Sequence, residues 1–520
     1  MIIDRAKNTR RNIVYGLLNK IVHIVLPFVM RTVIIKEIGI EYLGINSLFS
    51  SLLGILSLAE LGFDTSVVFV MYDGVAHNDN RKLKALLCLM KNVYQIIGLF
   101  IFVVGMACIP FLDYLIKDTA ALPADINLIH IYIIFLINSV ISYFFGGYRN
   151  CLLNAYQRGD VIANVQLVIY VLFFALQIVI LTQFQNYYWY IYTLPLINIF
   201  SNLLVVYYSK KMYPEIVPEG NVTKVELAQI KKLVAGSFIA KVGAMLTVTI
   251  DNIVVSAFMG ITLLAYFSNY SLIISSLITV MYIVYSSMQG GLGNSLILDT
   301  VEKNYKDMQK LNFIYAWIIG WAMYCVFFLT QPFIRLWLGE EAVLPDYIIV
   351  LFGVYLYQAE CFGIFGSYKA ALGIVWEDRY RPLVSGGFNI LVKLGLVLWL
   401  RQYGDEIALI GILLATILSY ALVNSPWSTY LTFKKYFKYG FRENYILTYK
   451  YFVIFLLVSA VSYPVFQLLP AADGGTGLMN LLLRSILCII LPNVLLVLIY
   501  KRNAQYKEAK LFLMSKLKIK

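Results

Sequence analysis

The dominant pattern along the chain is a series of long apolar runs separated by short polar connections. Roughly 20 apolar residues are enough to cross the hydrocarbon core of a bilayer as a helix. Fourteen runs approach or exceed this length, at 13–35, 43–71, 93–112, 126–148, 161–181, 187–208, 233–259, 263–288, 311–334, 347–368, 383–400, 407–432, 451–469 and 478–500. The pattern predicts an all-α polytopic membrane protein with fourteen transmembrane helices.

The basic residues alternate from one connection to the next. Of the 42 Lys and Arg residues, 33 lie in the N-terminal segment and every second connection after it, four lie in the intervening connections, and five lie inside the runs. This asymmetry is typical of the positive-inside rule. We therefore expect both termini in the cytoplasm, with the chain crossing the membrane many times.

Composition agrees with this topology, since 60% of the residues are hydrophobic and only 14% are charged. The net charge of +13 would suit nucleic acid, but its distribution follows the membrane topology, so we expect no nucleic-acid partner. A second run follows the first at once without a small-residue cleavage site, so the first run is predicted to be a span and not a signal peptide. The six cysteines show no paired spacing, and we expect neither a disulfide framework nor a metal site.

An internal repeat organises the runs. Phe145-Gly146 and the residues after it recur near Phe365-Gly366, and Gly39-Ile40 recurs as Gly260-Ile261, at offsets of 220 and 221 residues. Six runs separate the copies, so both copies have the same orientation, as in transporters built from parallel repeats. We predict a six-helix lobe at 1–208, a cytoplasmic linker at 209–232, a second six-helix lobe at 233–432, and two extra helices with a basic cytoplasmic tail at 433–520, with a central cavity between the lobes.

Charged and polar residues inside the first two runs are candidates for this cavity. Lys20, His23 and Arg31 share one face of the first predicted helix. A cation in the membrane normally faces a bundle interior or a watery cavity, because exposure to lipid is costly. The second run carries a polar stripe that reaches from Asn46 to Asp64, and Asp64 has a depth similar to that of Lys20. One expectation is a Lys20–Asp64 pair; the alternative is that the small residues of the stripe only permit close helix packing.

Other candidates follow from the repeat. Arg149 and Lys369 occupy matching positions at the predicted cytoplasmic ends of two spans, where they could form basic entrances or be ordinary positive-inside anchors. Lys241 is the repeat counterpart of Lys20. The full candidate set comprises cavity cations at Lys20, Arg31, Arg149, Lys241 and Lys369, and polar or ion-coupling residues at His23, Asn46, Ser57, Glu60, Asp64, Asp251 and Asn252.

No motif supports catalysis. The sequence shows no phosphate-binding loop, no cluster of His and Cys ligands, and no extracytoplasmic loop large enough to hold a sugar acceptor. We therefore expect no enzyme activity, no catalytic residues and no cofactor.

Several stretches resemble one known family. They are Arg31-Thr32, Gly39-Ile40-Glu41-Tyr42-Leu43-Gly44, Leu56-Ser57-Leu58-Ala59-Glu60-Leu61-Gly62, Tyr148-Arg149, Ala155-Tyr156-Gln157-Arg158, and Asp251-Asn252-Ile253 through Gly260 to Tyr266, Asn269 and Tyr270. With them the chain resembles the bacterial polysaccharide flippases (the Wzx type, for O-antigen and capsular repeat units) of the multidrug/oligosaccharidyl-lipid/polysaccharide (MOP) exporter superfamily. The resemblance covers nearly the whole chain.

The resemblance implies a translocase without enzyme activity. Its cargo would be an oligosaccharide repeat unit on undecaprenyl pyrophosphate, moved across the bilayer by alternating access for surface polysaccharide biosynthesis. It also implies a polysaccharide polymerase and chain-length machinery as partners, and coupling to a proton gradient, a sodium gradient or the membrane potential. The alternatives are a multidrug or cation exporter and a peptidoglycan-precursor flippase of the same superfamily.

Overall fold

The computed structural model describes residues 5–57, 62–117, 122–374, 376–469 and 477–517, and every regular element in these ranges is a helix. The predicted all-α fold is therefore confirmed. The chain divides into two units, Met1–Ala265 and Tyr266–Lys520. The limits of the two repeat lobes and of their linker stay a prediction.

The first unit contains ten complete helices in the described part of the chain. They are α1 (Arg5–Glu37), α2 (Ile40–Leu56), α3 (Phe63–Ala76), α4 (Asn80–Ala107), α5 (Leu128–Phe144), α6 (Asn150–Ala155), α7 (Gly159–Val179), α8 (Tyr187–Met212), α9 (Lys224–Val248) and α10 (Ile250–Met259).

The second unit contains the later helices, the first of which begins a few residues before the division. They are α11 (Ile261–Ser286), α12 (Gln289–Leu298), α13 (Val301–Leu338), α14 (Asp346–Glu360), α15 (Gly363–Ala371), α16 (Arg381–Leu400), α17 (Asp405–Ser419), α18 (Ser425–Thr432), α19 (Phe441–Gln467), α20 (Gly477–Tyr500) and α21 (Ala504–Leu517). The basic tail predicted at the end of the chain is helical over α21.

Eleven helices in the described ranges are long and apolar enough to cross a membrane, and a twelfth span results if Leu128–Phe144 and Gly147–Ala155, bent by 48° at their junction, count as one. The predicted second and seventh spans do not form single straight helices in this count, because α2 and α3 are separate elements and α9 ends where α10 begins. The total of fourteen spans stays a prediction.

Polar caps mark where several helices begin. Asp79 accepts a hydrogen bond from the Lys82 amide at the start of α4, and Asn127 does the same for α5. Thr223 and Glu226 form a reciprocal capping box at the start of α9. Such caps satisfy amide groups that have no partner within the helix.

The two repeat copies share a local backbone feature. Gly39, between α1 and α2, has φ of +121°, and Gly260, between α10 and α11, has φ of +104°. Glycine adopts this region without the steric cost that a side chain would add. The sequence match at these positions therefore corresponds to the same sharp break between consecutive helices.

Within the first unit, α1 packs along α7, α5 packs between α4 and α8, and α2 packs on α10. Close approach depends on glycine at specific points: a Cβ on Gly105 would lie 2.3 Å from a Leu136 methyl, and the Tyr132 hydroxyl donates to the Gly105 carbonyl at 2.7 Å. We call the interface between α1 and α7 the α1–α7 seam, and this interface positions the candidate site.

Candidate functional site

Two cavities lie along the α1–α7 seam of the first unit. The first, which we call the Lys20 cavity, has a volume of about 340 Å³ and is lined by Gly16, Asn19, Lys20, Asp64, Asn150, Asn154, Gly159, Ile162, Ala163 and Gln166. Six of these ten residues have polar side chains. A polar cavity of this kind among apolar spans is unusual, because each polar group in a membrane protein needs a partner or water.

The Lys20 cavity contains two residues that the sequence predicts at a similar depth in the membrane. Lys20 enters from α1 and Asp64 from the first turn of α3, and both line the same space. The two side chains therefore share one cavity, and the expected Lys20–Asp64 pair stays a prediction.

Sequence reasoning missed the amides of this cavity. Asn19, Asn150, Asn154 and Gln166 come from three helices, and the Asn150 Oδ1 atom is buried without a hydrogen-bond partner among the described residues. A buried acceptor left open in this way is available to a ligand or a water molecule. Only the clustering of Asn residues at 150 and 154, one helical turn apart, could have suggested them.

The second cavity, the Arg31 cavity, has a volume of about 300 Å³. Its polar lining consists of His23, Arg31, Asn46, Tyr170, Gln177 and Tyr190, and its walls are aliphatic side chains, Pro27 and Phe174. Tyr190 lies beside both Arg31 and Asn46. This cavity places one guanidinium and several neutral polar groups in a mainly apolar space, and its described lining includes no carboxylate.

The cationic stripe of the first helix is therefore divided between two sites. Lys20 belongs to one cavity, whereas His23 and Arg31 belong to the other. Between them, the His23 and Tyr170 rings meet edge to face with centroids 4.6 Å apart, and the Asn19 amide donates to the Ala163 carbonyl at 3.0 Å. These contacts join α1 to α7 at the level that separates the cavities.

The start of α7 is fixed by an ion pair beside the Lys20 cavity. Arg158 donates to both carboxylate oxygens of Asp160, at 2.8 and 3.0 Å. This hydrogen bonding raises the pKa of the Arg158 guanidinium. The pair orients the first turn of α7, from which Gly159 lines the cavity.

Arg149 lies apart from both cavity linings. Its side chain is 2% exposed, its Nη1 donates to the Ser209 hydroxyl at 3.3 Å, and its Nε is buried without a partner among the described residues. It sits in the turn at the bend between α5 and α6. In this conformation the guanidinium is enclosed by protein and does not form an open entrance.

Lys369 is part of an ion network in the second unit. Its Nζ lies 2.5 Å from the Asp378 carboxylate and donates to the Ser428 hydroxyl at 2.8 Å. Arg381 binds the other oxygen of Asp378 at 2.8 Å and also contacts Asn424. A ligand that binds Lys369 would compete with Asp378, a partner that sequence reasoning did not identify.

The remaining candidates are dispersed. Asn252 donates to the Ser51 hydroxyl at 2.8 Å, Ser57 donates to the Leu53 carbonyl of its own helix at 3.0 Å, and Asp251 is partly buried at the start of α10. Glu60 and the side chain of Lys241 lie outside the described residues. Among the described residues, no group of three or more His, Cys, Asp or Glu is arranged to hold a metal ion.

Solved transporter structures share this fold. One is an inward-facing multidrug resistance MATE family transporter of the MOP superfamily, with a TM-score of 0.58 and 16% identity over 79% of this chain and 94% of that one. A mutant of the Vibrio cholerae MATE transporter VcmN gives a TM-score of 0.52 and 12% identity over 83% and 97%. A MATE in complex with MaL6 gives 0.50 and 15% identity over 82% and 96%.

No family model and no curated protein sequence matches the chain. At identities of 12–16% the likeness shows the fold, and the many apolar helices agree with it. The chain is therefore a multi-pass membrane protein with the fold of the MATE transporters of the MOP superfamily.

Proposed function

We propose that this protein is a flippase that moves lipid-linked oligosaccharide repeat units to the outer leaflet of the bacterial cytoplasmic membrane. The units would be carried on undecaprenyl pyrophosphate and serve surface polysaccharide biosynthesis, with both protein termini in the cytoplasm. A polysaccharide polymerase and its chain-length machinery would act on the product. The observation that carries the proposal is the polar lining of the Lys20 cavity.

The lining of the Lys20 cavity suits a phosphorylated sugar. Each Asn or Gln amide offers both a donor and an acceptor, which is the pair that vicinal hydroxyl groups need. Asp64 accepts hydrogen bonds from hydroxyls, and the Lys20 ammonium complements a phosphate. The cavity volume of about 340 Å³ leaves room for a sugar ring together with bound water.

The Arg31 cavity suits the part of the cargo closer to the lipid. Its guanidinium can bind phosphate oxygens through two parallel hydrogen bonds, and its apolar walls tolerate hydrocarbon. In this arrangement the sugars occupy the amide-rich cavity while the pyrophosphate and its lipid lie toward the apolar one. Arg149, Lys241 and Lys369 would contribute cations in other conformations of the cycle.

Coupling to an ion is assigned to Asp64. It shares the Lys20 cavity, so its protonation or its binding of sodium would change the charge that Lys20 and the cargo experience. A change of net charge at the binding site is a direct way to bias two conformations. No chemical reaction of the cargo is part of the proposal.

A multidrug exporter of the same superfamily is the nearest alternative, because the MATE fold is common to both. A cationic drug would favour an acidic, aromatic site. Here the described linings of both cavities contain a single carboxylate, Asp64, against Lys20 and Arg31. The peptidoglycan-precursor flippase shares the cationic requirement and differs in its sugar cargo.

Complementation tests the proposal. The gene is expressed in bacteria that lack a known repeat-unit flippase, and the lipid-linked precursor is followed across the membrane. The proposal predicts that the accumulated precursor clears, and that Arg31→Ala and Lys241→Ala each reduce clearance without loss of membrane insertion. Export of a cationic dye without any clearance of precursor, tested with several repeat units, would instead favour the drug exporter.

A further inference from the structure

The segment formed by α9 and α10 contacts other helices of the first unit near both of its ends. It consists of two consecutive helices, of 25 and 10 residues. The repeat assigns residues 224–232 of this segment to the linker and residues 233–259 to the second lobe, yet the contacts described below are with α2, α3, α4 and the segment after α4.

The first fastening lies at the start of α9. The Lys82 ammonium bridges two carboxylates, Asp73 at 2.8 Å and Glu226 at 3.3 Å. The Lys82 and Glu226 side chains are only 16% and 17% exposed, so water screens this pair less than a surface pair. Because Glu226 also closes the capping box of α9, the contact holds the helix start itself.

The segment before α9 is docked on the same surface. Asn80 donates to Glu215 at 2.9 Å, the Glu219 amide donates to the Lys84 carbonyl at 3.4 Å, and the Tyr156 and Tyr213 rings stack at 4.0 Å. The polar stretch expected to be a linker therefore follows the surface of the first unit.

The second fastening lies along α10. Asn252 donates to Ser51 of α2 at 2.8 Å. Ser256 binds the segment after α4 through two bonds, because its hydroxyl donates to the Leu115 carbonyl at 2.6 Å and its carbonyl accepts from the Lys117 amide at 3.2 Å. Ile261 lies just beyond α10. A Cβ on Gly44 of α2 would lie 2.5 Å from the Ile261 carbonyl oxygen, so the two backbones are in direct contact.

We infer that α9 and α10 move with α2–α4 as one body during transport, and that the joint used by the cycle lies at or beyond Gly260. If this segment tilted about its middle relative to α2–α4, the contacts at one end would open when those at the other closed, whereas here the contacts at both ends are formed at once. Gly260, with φ of +104°, follows immediately and supplies a sharp break in the chain. The inference rests on the proposed transport by alternating access, but not on the identity of the cargo.

Cysteine crosslinking tests the inference. In a background without the six native cysteines, Ser51→Cys/Asn252→Cys is oxidised to a disulfide, and Lys82→Cys/Glu226→Cys is joined by a short bismaleimide. The pair Asn138→Cys/Asn198→Cys, which replaces a 2.8 Å contact between α5 and α8 outside both cavity linings, controls for the treatment. We expect both crosslinked proteins to keep at least half of the transport rate of the crosslinked control. Loss of transport in either protein, when the control transports normally, would show that this contact opens in the cycle and would overturn the inference.

A second readout needs no cargo. Spin labels are placed at Tyr72→Cys and Val225→Cys, which are 47% and 78% exposed, and in a second protein at Val225→Cys and Leu298→Cys, the latter 73% exposed. Electron–electron distances are compared at two proton and sodium concentrations. We expect the first distance to stay constant while the second changes. A first distance that changes would overturn the inference, whereas a constant first distance in a protein that transports no lipid-linked oligosaccharide would contradict only the proposed function.

Discussion

In the proposed function, cargo binding depends most on the Lys20 side chain. It is the cation of the amide-rich cavity, and a charge-assisted hydrogen bond contributes about 1.5–3 kcal/mol. Lys20→Gln is therefore expected to reduce the transport rate by tenfold or more, since 1.4 kcal/mol corresponds to about a factor of ten. The rate is measured in vesicles at equal protein content.

Leu18→Gln is the matched control, because Leu18 lies on the same helix and is 45% exposed outside both cavity linings. If Lys20→Gln transports as fast as Leu18→Gln, Lys20 has no part in cargo binding.

The Asn and Gln side chains of the Lys20 cavity should increase the affinity of the protein for lipid-linked oligosaccharide. Asn154→Ala removes one donor and one acceptor from the lining, and a neutral hydrogen bond contributes about 0.5–1.5 kcal/mol. We expect the apparent KM for lipid-linked oligosaccharide to rise several-fold while the maximal rate changes little. Asn92→Ala, on an exposed face of α4, should leave both quantities unchanged; an equal KM in both variants would remove Asn154 from the site.

Among the individual side chains, sequence reasoning could identify the charged ones and miss their neutral partners. Lys20, Asp64 and Arg31 stand out because a charge inside an apolar run is costly. Asn150, Gln166 and Gln177 do not, since single amides are common in such runs and their convergence depends on how α1, α6 and α7 pack. The Asp378 partner of Lys369 was missed for the same reason: it lies in a connection, and only the fold places it at the end of α15.

The contact between α2 and the start of α11 restricts the size of the side chain at Gly44. A Cβ there would approach the Ile261 carbonyl oxygen to 2.5 Å and its Cγ2 to 2.6 Å. Overpacking of this kind costs about 1–3 kcal/mol, so Gly44→Ala should lower the thermal unfolding temperature in detergent. Gly395→Ala in α16 is the control, since a Cβ at that position meets nothing within 4 Å. Equal unfolding temperatures would show that the helices separate easily.

The start of α9 should loosen in acid. Burial raises the pKa of Glu226, but hydrogen bonds from Thr223 and the Lys82 ammonium outweigh burial, and the pKa is lowered overall. A lowered folded-state pKa contributes stability above the ordinary carboxyl range, and that stability is lost as the pH falls through the folded pKa. Amide hydrogen exchange of residues 213–226, corrected for its intrinsic pH dependence, should therefore increase below about pH 4.5.

Glu226→Gln is the comparison for that experiment, because it keeps the hydrogen-bonding shape without the charge. In this variant, amide hydrogen exchange of residues 213–226 should already be faster at neutral pH and should change little on acidification. Identical exchange in both proteins at every pH would show that the Lys82–Glu226 pair does not hold the helix.

Helices are the level at which the sequence is most informative. Long apolar runs predict helices because a lipid-exposed backbone must satisfy its own hydrogen bonds. Their interruptions are harder to foresee: the break at Gly39 and Gly260 follows from the repeat, but the division of the predicted second run into α2 and α3 does not. The hydrogen bonds that hold α10 in place involve Ser51 and Ser256. These are two short polar side chains, and the hydrophobic periodicity does not distinguish them from small residues that only allow close packing.

For the whole molecule, the fold is that of the MATE transporters, and the proposed cargo rests on the chemistry of the cavities. In that proposal, a donor-rich, amide-lined cavity beside a guanidinium cavity binds a phosphorylated sugar in preference to a hydrophobic cation. The fold class could be predicted from the apolar runs and the alternation of basic residues. The cargo was implied by the family resemblance, because the residues alone do not show which isolated polar groups meet in space.

Reconstituted transport is the most direct test of the flippase. The purified protein is placed in liposomes with a fluorescent lipid-linked oligosaccharide, and the fraction accessible to an external quencher is followed over time. The wild-type protein should equilibrate the lipid between leaflets, and Lys20→Gln should slow this at least tenfold relative to Leu18→Gln, as expected for a lost charge-assisted bond. Equal rates in all three proteins and in empty liposomes would contradict the proposal that this protein translocates lipid-linked sugars through the Lys20 cavity.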